Sequence, residues 1–161
     1  MIVLGIDPGS ITTGYAFLNV LEGSFEVLEY GTLHAPATNA LENRLVQIVT
    51  GLETLLDKYH PDALAMEGVF FAKNAKSALV LGHIRGAVLV ACRKRNMTFN
   101  EYPPKVVKQS VTGDGSASKE KVANMVFARL GIVSSDLPLD ASDALAIALT
   151  HATPAPLTVA L

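Results

Sequence analysis

Two short apolar runs in this chain close abruptly on a carboxylate: one ends at Asp7 in VLGIDPGS, the other at Glu67 in DALAMEGVF. An uncompensated charge is costly to bury, so each run reads as a buried strand that delivers its acid to the end of a sheet. Pro8-Gly9 and Gly68 supply the sharp exits. If the two strands are neighbours, both acids emerge on one side. A further pair, Asp140 and Asp143 in PLDASDAL, lies three residues apart at the start of a helical pattern and shares a face. Four acids from three parts of the chain point to one site for divalent metal ions. Hard cations such as Mg²⁺ or Mn²⁺ take oxygen ligands, and metal-assisted phosphoryl chemistry is their common use. Taken singly, Asp140 also reads as a helix N-cap and Asp143 as a partner of the helix dipole.

The remaining pattern supports an α/β plan on a mixed sheet. GYAFLNV and FEVLEYGTL read as strands that join the first in an antiparallel meander, turning near Gly23. Leu41, Leu45, Ile48, Val49, Leu52, Leu55 and Leu56 recur at helical spacing, predicting a helix from Ala40 to Tyr59 that His60-Pro61 stops. Ser77 to Arg95 is a second long helix, on which Gly82 and Gly86 lie one turn apart and permit another helix to come close. MTFNEY is a strand, PPKVVKQSV a short helix and GDGSAS a loop. Ser118 is the N-cap of a helix running to Gly131, with Lys121 in place of the capping-box acid. Asp140 opens a last helix that runs to about His151. The order reads βββαβαβαα, one domain over residues 1–151 followed by a flexible tail, 152–161.

Composition narrows the function classes. Half of the residues are hydrophobic, which argues for a packed domain and against a disordered chain. The opening MIVLGID has no basic leader and is not expected to be a signal peptide. His83, Arg85 and Arg93 interrupt the longest apolar stretch, so no membrane span is expected. The single Cys92 forms no internal disulfide and fits a reducing, cytoplasmic setting. The net charge of −2 hides a division along the chain. Residues 1–71 hold nine acids and two bases, whereas residues 72–121 hold ten bases and three acids. A basic middle beside an acidic, metal-holding site suits a polyanion lying across that site. His34, His60, His83 and His151 form no ligand pattern.

IDPGSITTGY, AMEGVFFAKNAKSALVLGHIRG, PPKVVKQSVTGDGSASKEKV and DASDALAIALTH together resemble the RuvC family of bacterial Holliday junction resolvases, over about Ile2 to His151. The resemblance implies an RNase H-like fold, a mixed five-stranded sheet flanked by helices. It implies a homodimer that nicks two opposing strands of a four-way DNA junction, with two Mg²⁺ ions per subunit or Mn²⁺ in their place. The family's four catalytic, metal-holding acids fall on Asp7, Glu67, Asp140 and Asp143; some relatives carry His at the third position. Its DNA-contacting lysines fall on Lys108 and Lys119, with Lys121 a possible third. Phe70 matches an aromatic that stacks on an unpaired base, and Phe71 is its neighbour. Lys73, Asn74 and Lys76 follow in the same segment, facing backbone phosphate. By the same resemblance, the helix from Ser77 is the dimer element, and the RuvA and RuvB branch-migration proteins are partners. Packing of that helix through Leu79, Ile84, Val88 and Ala91 is the simpler expectation.

Overall fold

The computed structural model describes residues 1–68, 75–133 and 138–153. Along them run β1 (Ile2–Asp7), β2 (Thr12–Leu21), β3 (Ser24–His34), α1 (Leu41–Tyr59), β4 (Ala63–Glu67) and α2 (Ala75–Arg93). β5 (Thr98–Tyr102), α3 (Pro104–Thr112), α4 (Lys119–Leu130) and α5 (Leu139–Ala152) follow. The order is therefore βββαβαβααα, with all five helices named from the sequence present once the short PPKVVKQSV helix is counted in full. That short helix, α3, starts on Pro104 and ends on a left-handed Gly113 cap whose N–H donates to the Gln109 carbonyl.

The five strands form one sheet in the order β3-β2-β1-β4-β5. β1, β2 and β3 are the expected antiparallel meander, while β4 lies parallel to β1 and β5 parallel to β4. Successive side chains on a strand point to opposite faces, and β1 uses both. Leu4 and Ile6 pack with Ile48, Leu52, Leu56, Ile84 and Val88 beneath α1 and α2. Val3 packs with Ala144, Leu145 and Ala148 beneath α5, supported by Val107, Val111, Val122 and Val126 of α3 and α4. β1 is thus covered on both sides, which is why its run is apolar without alternation.

α1 ends where expected, on His60 in the left-handed region (φ 47°), whose N–H donates to the Leu56 carbonyl. Ser118 caps α4 by accepting from the Lys121 N–H at 3.2 Å. α2 runs from Ala75 to Arg93, two residues earlier at each end than expected, and both ends of α5 move as well. Asp140 does not cap α5, because Pro138 already starts that helix and no side chain caps it. α5 also continues one residue past the expected tail boundary, since Ala152 is buried. Residues 154–161 lie outside the described residues.

α2 is the described helix long and apolar enough to cross a membrane by length and composition. Here Ile84, Val88, Ala91 and Cys92 pack it against the core. Leu79, expected among the packing residues, is instead 65% exposed, as is Val90 at 56%. Helical spacing marks which residues share a face without saying that the same chain covers it. Gly82 and Gly86 lie on this open side, with nothing near enough to touch an added Cβ.

Candidate active site

Asp7 is the last residue of β1, paired with Gly14 of β2. The parallel register sets Ile6 beside Met66, so Glu67 leaves β4 beside Asp7 at the same sheet end. The loop after Asp7 is pinned by the fully buried Thr13. Its hydroxyl donates to the Gly9 carbonyl at 2.7 Å and accepts from the Gly9 N–H at 3.2 Å. Glu67 is held through its backbone: Arg85 of α2 donates to its carbonyl and also pairs with Glu101. The next N–H, of Gly68, donates to the Tyr102 carbonyl at 2.8 Å.

The second pair of acids reaches this point because α5 lies hard against the sheet. From Ala141 to Thr150 the helix is buried at all but Asp143, and alanines fill much of the contact. Small side chains allow a helix backbone to approach closely; the strands match them with glycines. A Cβ on Gly14 would sit 2.0 Å from the Asp140 carbonyl, and one on Gly5 would sit 2.2 Å from the Ala144 carbonyl. No neighbouring side chain can relieve such contacts by rotating. Gly5 and Gly14 are therefore positioning residues, and sequence reasoning did not single them out.

The carboxylates lie close enough to act on one another electrostatically. Burial, then the charges of Asp143, Glu67 and Asp140, push the Asp7 carboxyl up to about 7, with Lys119 pulling the other way. Burial and Asp143 also raise Glu67, opposed by Lys119, Lys108 and Arg85. Lys119 donates to Asp143 Oδ2 at 2.8 Å, and this bond is the main cause of its own raised pKa. Among the described residues, no three ligating side chains are gathered closely enough to hold a metal ion outright. The site instead shows excess negative charge, with one ammonium group pressed against it. Four carboxylates with that imbalance are a donor set suited to a hard divalent cation.

Lys108 and Lys119 line one narrow cleft with Glu67 and Asp143, bounded by Val107, Val122 and Ala146. Lys121 turns toward Asp114 at 3.7 Å. Lys76 lines a different pocket, with Ser10 and Arg44. Phe70, Phe71, Lys73 and Asn74 lie outside the described residues. His151 meets Tyr102 at 2.9 Å, and burial lowers its pKa. Cys92 is free and buried, its thiol pushed up to about 12.

Comparison with known proteins agrees with this geometry. Residues 3–151 match the family model described as Crossover junction endodeoxyribonuclease RuvC. A protein of that name from Chloroherpeton thalassium is 45% identical over 149 residues, 92% of this chain and 80% of the relative. The T. thermophilus RuvC solved in complex with a Holliday junction substrate superposes with a TM-score of 0.88 at 35% identity, over 94% of this chain and 93% of that one. The yeast mitochondrial Holliday junction resolvase Ydc2, 18% identical, shares the fold with a TM-score of 0.67, over 93% of this chain and 77% of its own. Sheet order, helices and relatives define an RNase H-like endonuclease. Within that class, the chain belongs to the RuvC family of crossover junction endodeoxyribonucleases.

Proposed function

We propose that the chain resolves four-way (Holliday) DNA junctions by paired symmetric nicks, with Asp7, Glu67, Asp140 and Asp143 as its catalytic acids, leaving 5′-phosphate and 3′-hydroxyl ends. The observation that carries this reading is the convergence of Asp7 and Glu67 at adjoining strand ends with Asp140 and Asp143 of the closely packed α5, in keeping with the raised Asp7 carboxyl. A site built with that much uncompensated charge is completed by cations. The four carboxylates, Asp7, Glu67, Asp140 and Asp143, would hold Mg²⁺ or Mn²⁺, two per subunit. When bound, such ions lower the pKa of an attacking water and support the departing oxygen.

The chain's own residues then position the substrate. Lys108 and Lys119 bring positive charge to the Glu67–Asp143 cleft, where the phosphates of the cut strand would lie. Lys121 stands on the same helix as Lys119. Phe70 is assigned to stack on an unpaired base, a sequence-tolerant contact worth about 1–3 kcal/mol, with Phe71 beside it and Lys73, Asn74 and Lys76 facing the backbone. The nuclease domain spans residues 1–151, with 152–161 as a C-terminal tail. A junction has approximate two-fold symmetry, so a two-fold homodimer can present two sites to matching strands. The open face of α2, with Leu79, Gly82, Gly86 and Val90, is suited to meet its own copy. RuvA and RuvB are assigned as partners through the family alone, and the cytoplasm as the place of action.

The test is a cleavage assay on a synthetic four-way junction beside linear duplex and an RNA–DNA hybrid, in Mg²⁺, Mn²⁺ or EDTA. Paired nicks confined to the junction and dependent on metal are expected. Tight junction binding without cutting in either metal would overturn the assignment of the four acids.

A further inference from the structure

A second cationic pocket lies on the opposite face of the sheet from Lys108 and Lys119. It has a volume of about 370 Å³ and is lined by Ser10, Arg44, Lys76, Ser77, Val80 and Leu81. Ser10 follows Asp7 closely, on the loop that Thr13 pins. Arg44 comes from the first turn of α1, and Lys76 and Ser77 from the first turn of α2, which contains no acid. Arg44 Nη1 donates to Ser10 Oγ at 3.0 Å and to the Ser10 carbonyl at 3.4 Å. Its Nε is buried and has no hydrogen-bond partner among the described residues. A buried donor without an acceptor is costly, and this one belongs to a permanently charged group.

We infer that this pocket seats a backbone phosphate of the strand being cut, with Arg44 as its main donor and Lys76 as the second charge. The inference rests on the junction-cutting reading and extends it. Phosphate chemistry fits the charged part of the lining: a guanidinium suits its oxygens, Lys76 adds a point charge, and an acid-free helix start favours an anion. The location gives the pocket its use. Lys108 and Lys119 hold phosphate on the α3–α5 side of the sheet end, and Arg44 and Lys76 hold it on the α1–α2 side. A strand anchored on both sides must pass over Asp7. One anchor would leave it free to swing.

The experiment measures binding of a fluorescent four-way junction by anisotropy in EDTA, so that nothing is cut, from about 50 to 200 mM salt. Arg44→Gln and Lys76→Gln should each weaken binding about tenfold and lower the slope of log K against log salt by about one, equally for junctions of different sequence. Arg44→Lys should keep most of the slope. Ser10→Ala removes the tie between Arg44 and the loop and leaves the charge, so its slope should stay at the parent value. A slope unchanged in Arg44→Gln and Lys76→Gln, but lowered in Lys119→Met, would overturn the pocket and leave the junction reading standing. No preference of the parent chain for junction over duplex would overturn that reading itself. If Arg44→Gln does not fold, Lys76→Gln decides, because Lys76 is exposed.

Discussion

Asp7→Asn should make the metal-free chain more stable while ending its chemistry. The Asp7 carboxyl titrates near 3.8 in the unfolded chain and near 7 in the folded one. Below 3.8 both states hold the proton, and the group costs nothing. As pH rises the unfolded chain releases its proton first, so stability falls until the folded-state carboxyl has also ionised. The gap is about 3 pH units, or about 4 kcal/mol at 1.36 kcal/mol each, fully lost by about pH 8. Asparagine keeps the shape and cannot ionise. In EDTA the variant should therefore exceed its parent by about 4 kcal/mol at pH 8 and by under about 2 kcal/mol at pH 5. For a domain of this size that gain is a Tm rise of about 8–16 °C at pH 8. Urea melts at both pH values measure it directly. Adding Mg²⁺ should stabilise the parent by mass action and the variant little, if at all. Junction binding should survive and cutting should vanish. Equal stability of the two proteins at pH 8 would refute the electrostatic account, and near-parental cutting would refute the site.

On the proposed site Lys119 would compete with a metal ion for Asp143, so Lys119→Met should tighten Mn²⁺ binding without DNA by up to about fivefold, the worth of an exposed ion pair. Electron paramagnetic resonance or calorimetry reads this, and weaker metal binding would contradict the competition. Gly14→Ala places a Cβ 2.0 Å from the Asp140 carbonyl and must lift α5. It should cost about 1–3 kcal/mol by overpacking and lower cutting about 100-fold through misplacement of two acids; a parental rate would show that α5 needs no such closeness. Leu79→Lys puts a charge on the open face of α2 and should shift sedimentation from the proposed dimer to monomer with little change in melting. An unchanged dimer would place the interface elsewhere.

What could be read from the sequence, and what could not, divides by the range of the cause. Asp7 and Glu67 were legible because a strand end is a local event: an apolar run, an acid, a turn residue. Asp140 and Asp143 were legible as a pair because helical spacing is equally local. Their roles at the helix start were less so, since Pro138, not Asp140, begins α5. Gly5 and Gly14 escaped notice for a different reason. In a strand a glycine reads as a weak point, and only the arrival of α5 from the far end of the chain turns it into a requirement. Arg44 had the same disguise, a base among leucines on an amphipathic helix, until Ser10 and the start of α2 closed around it. α2 presents the converse case. Its residues are apolar on nearly every side, so periodicity could not separate the face that Ile84 and Val88 bury from the one where Leu79 and Val90 remain open. The chemistry of the site is thus written in short segments. The closeness that makes four carboxylates act on one another is set by what those segments leave out, two missing Cβ atoms on the strands beneath one alanine-rich helix.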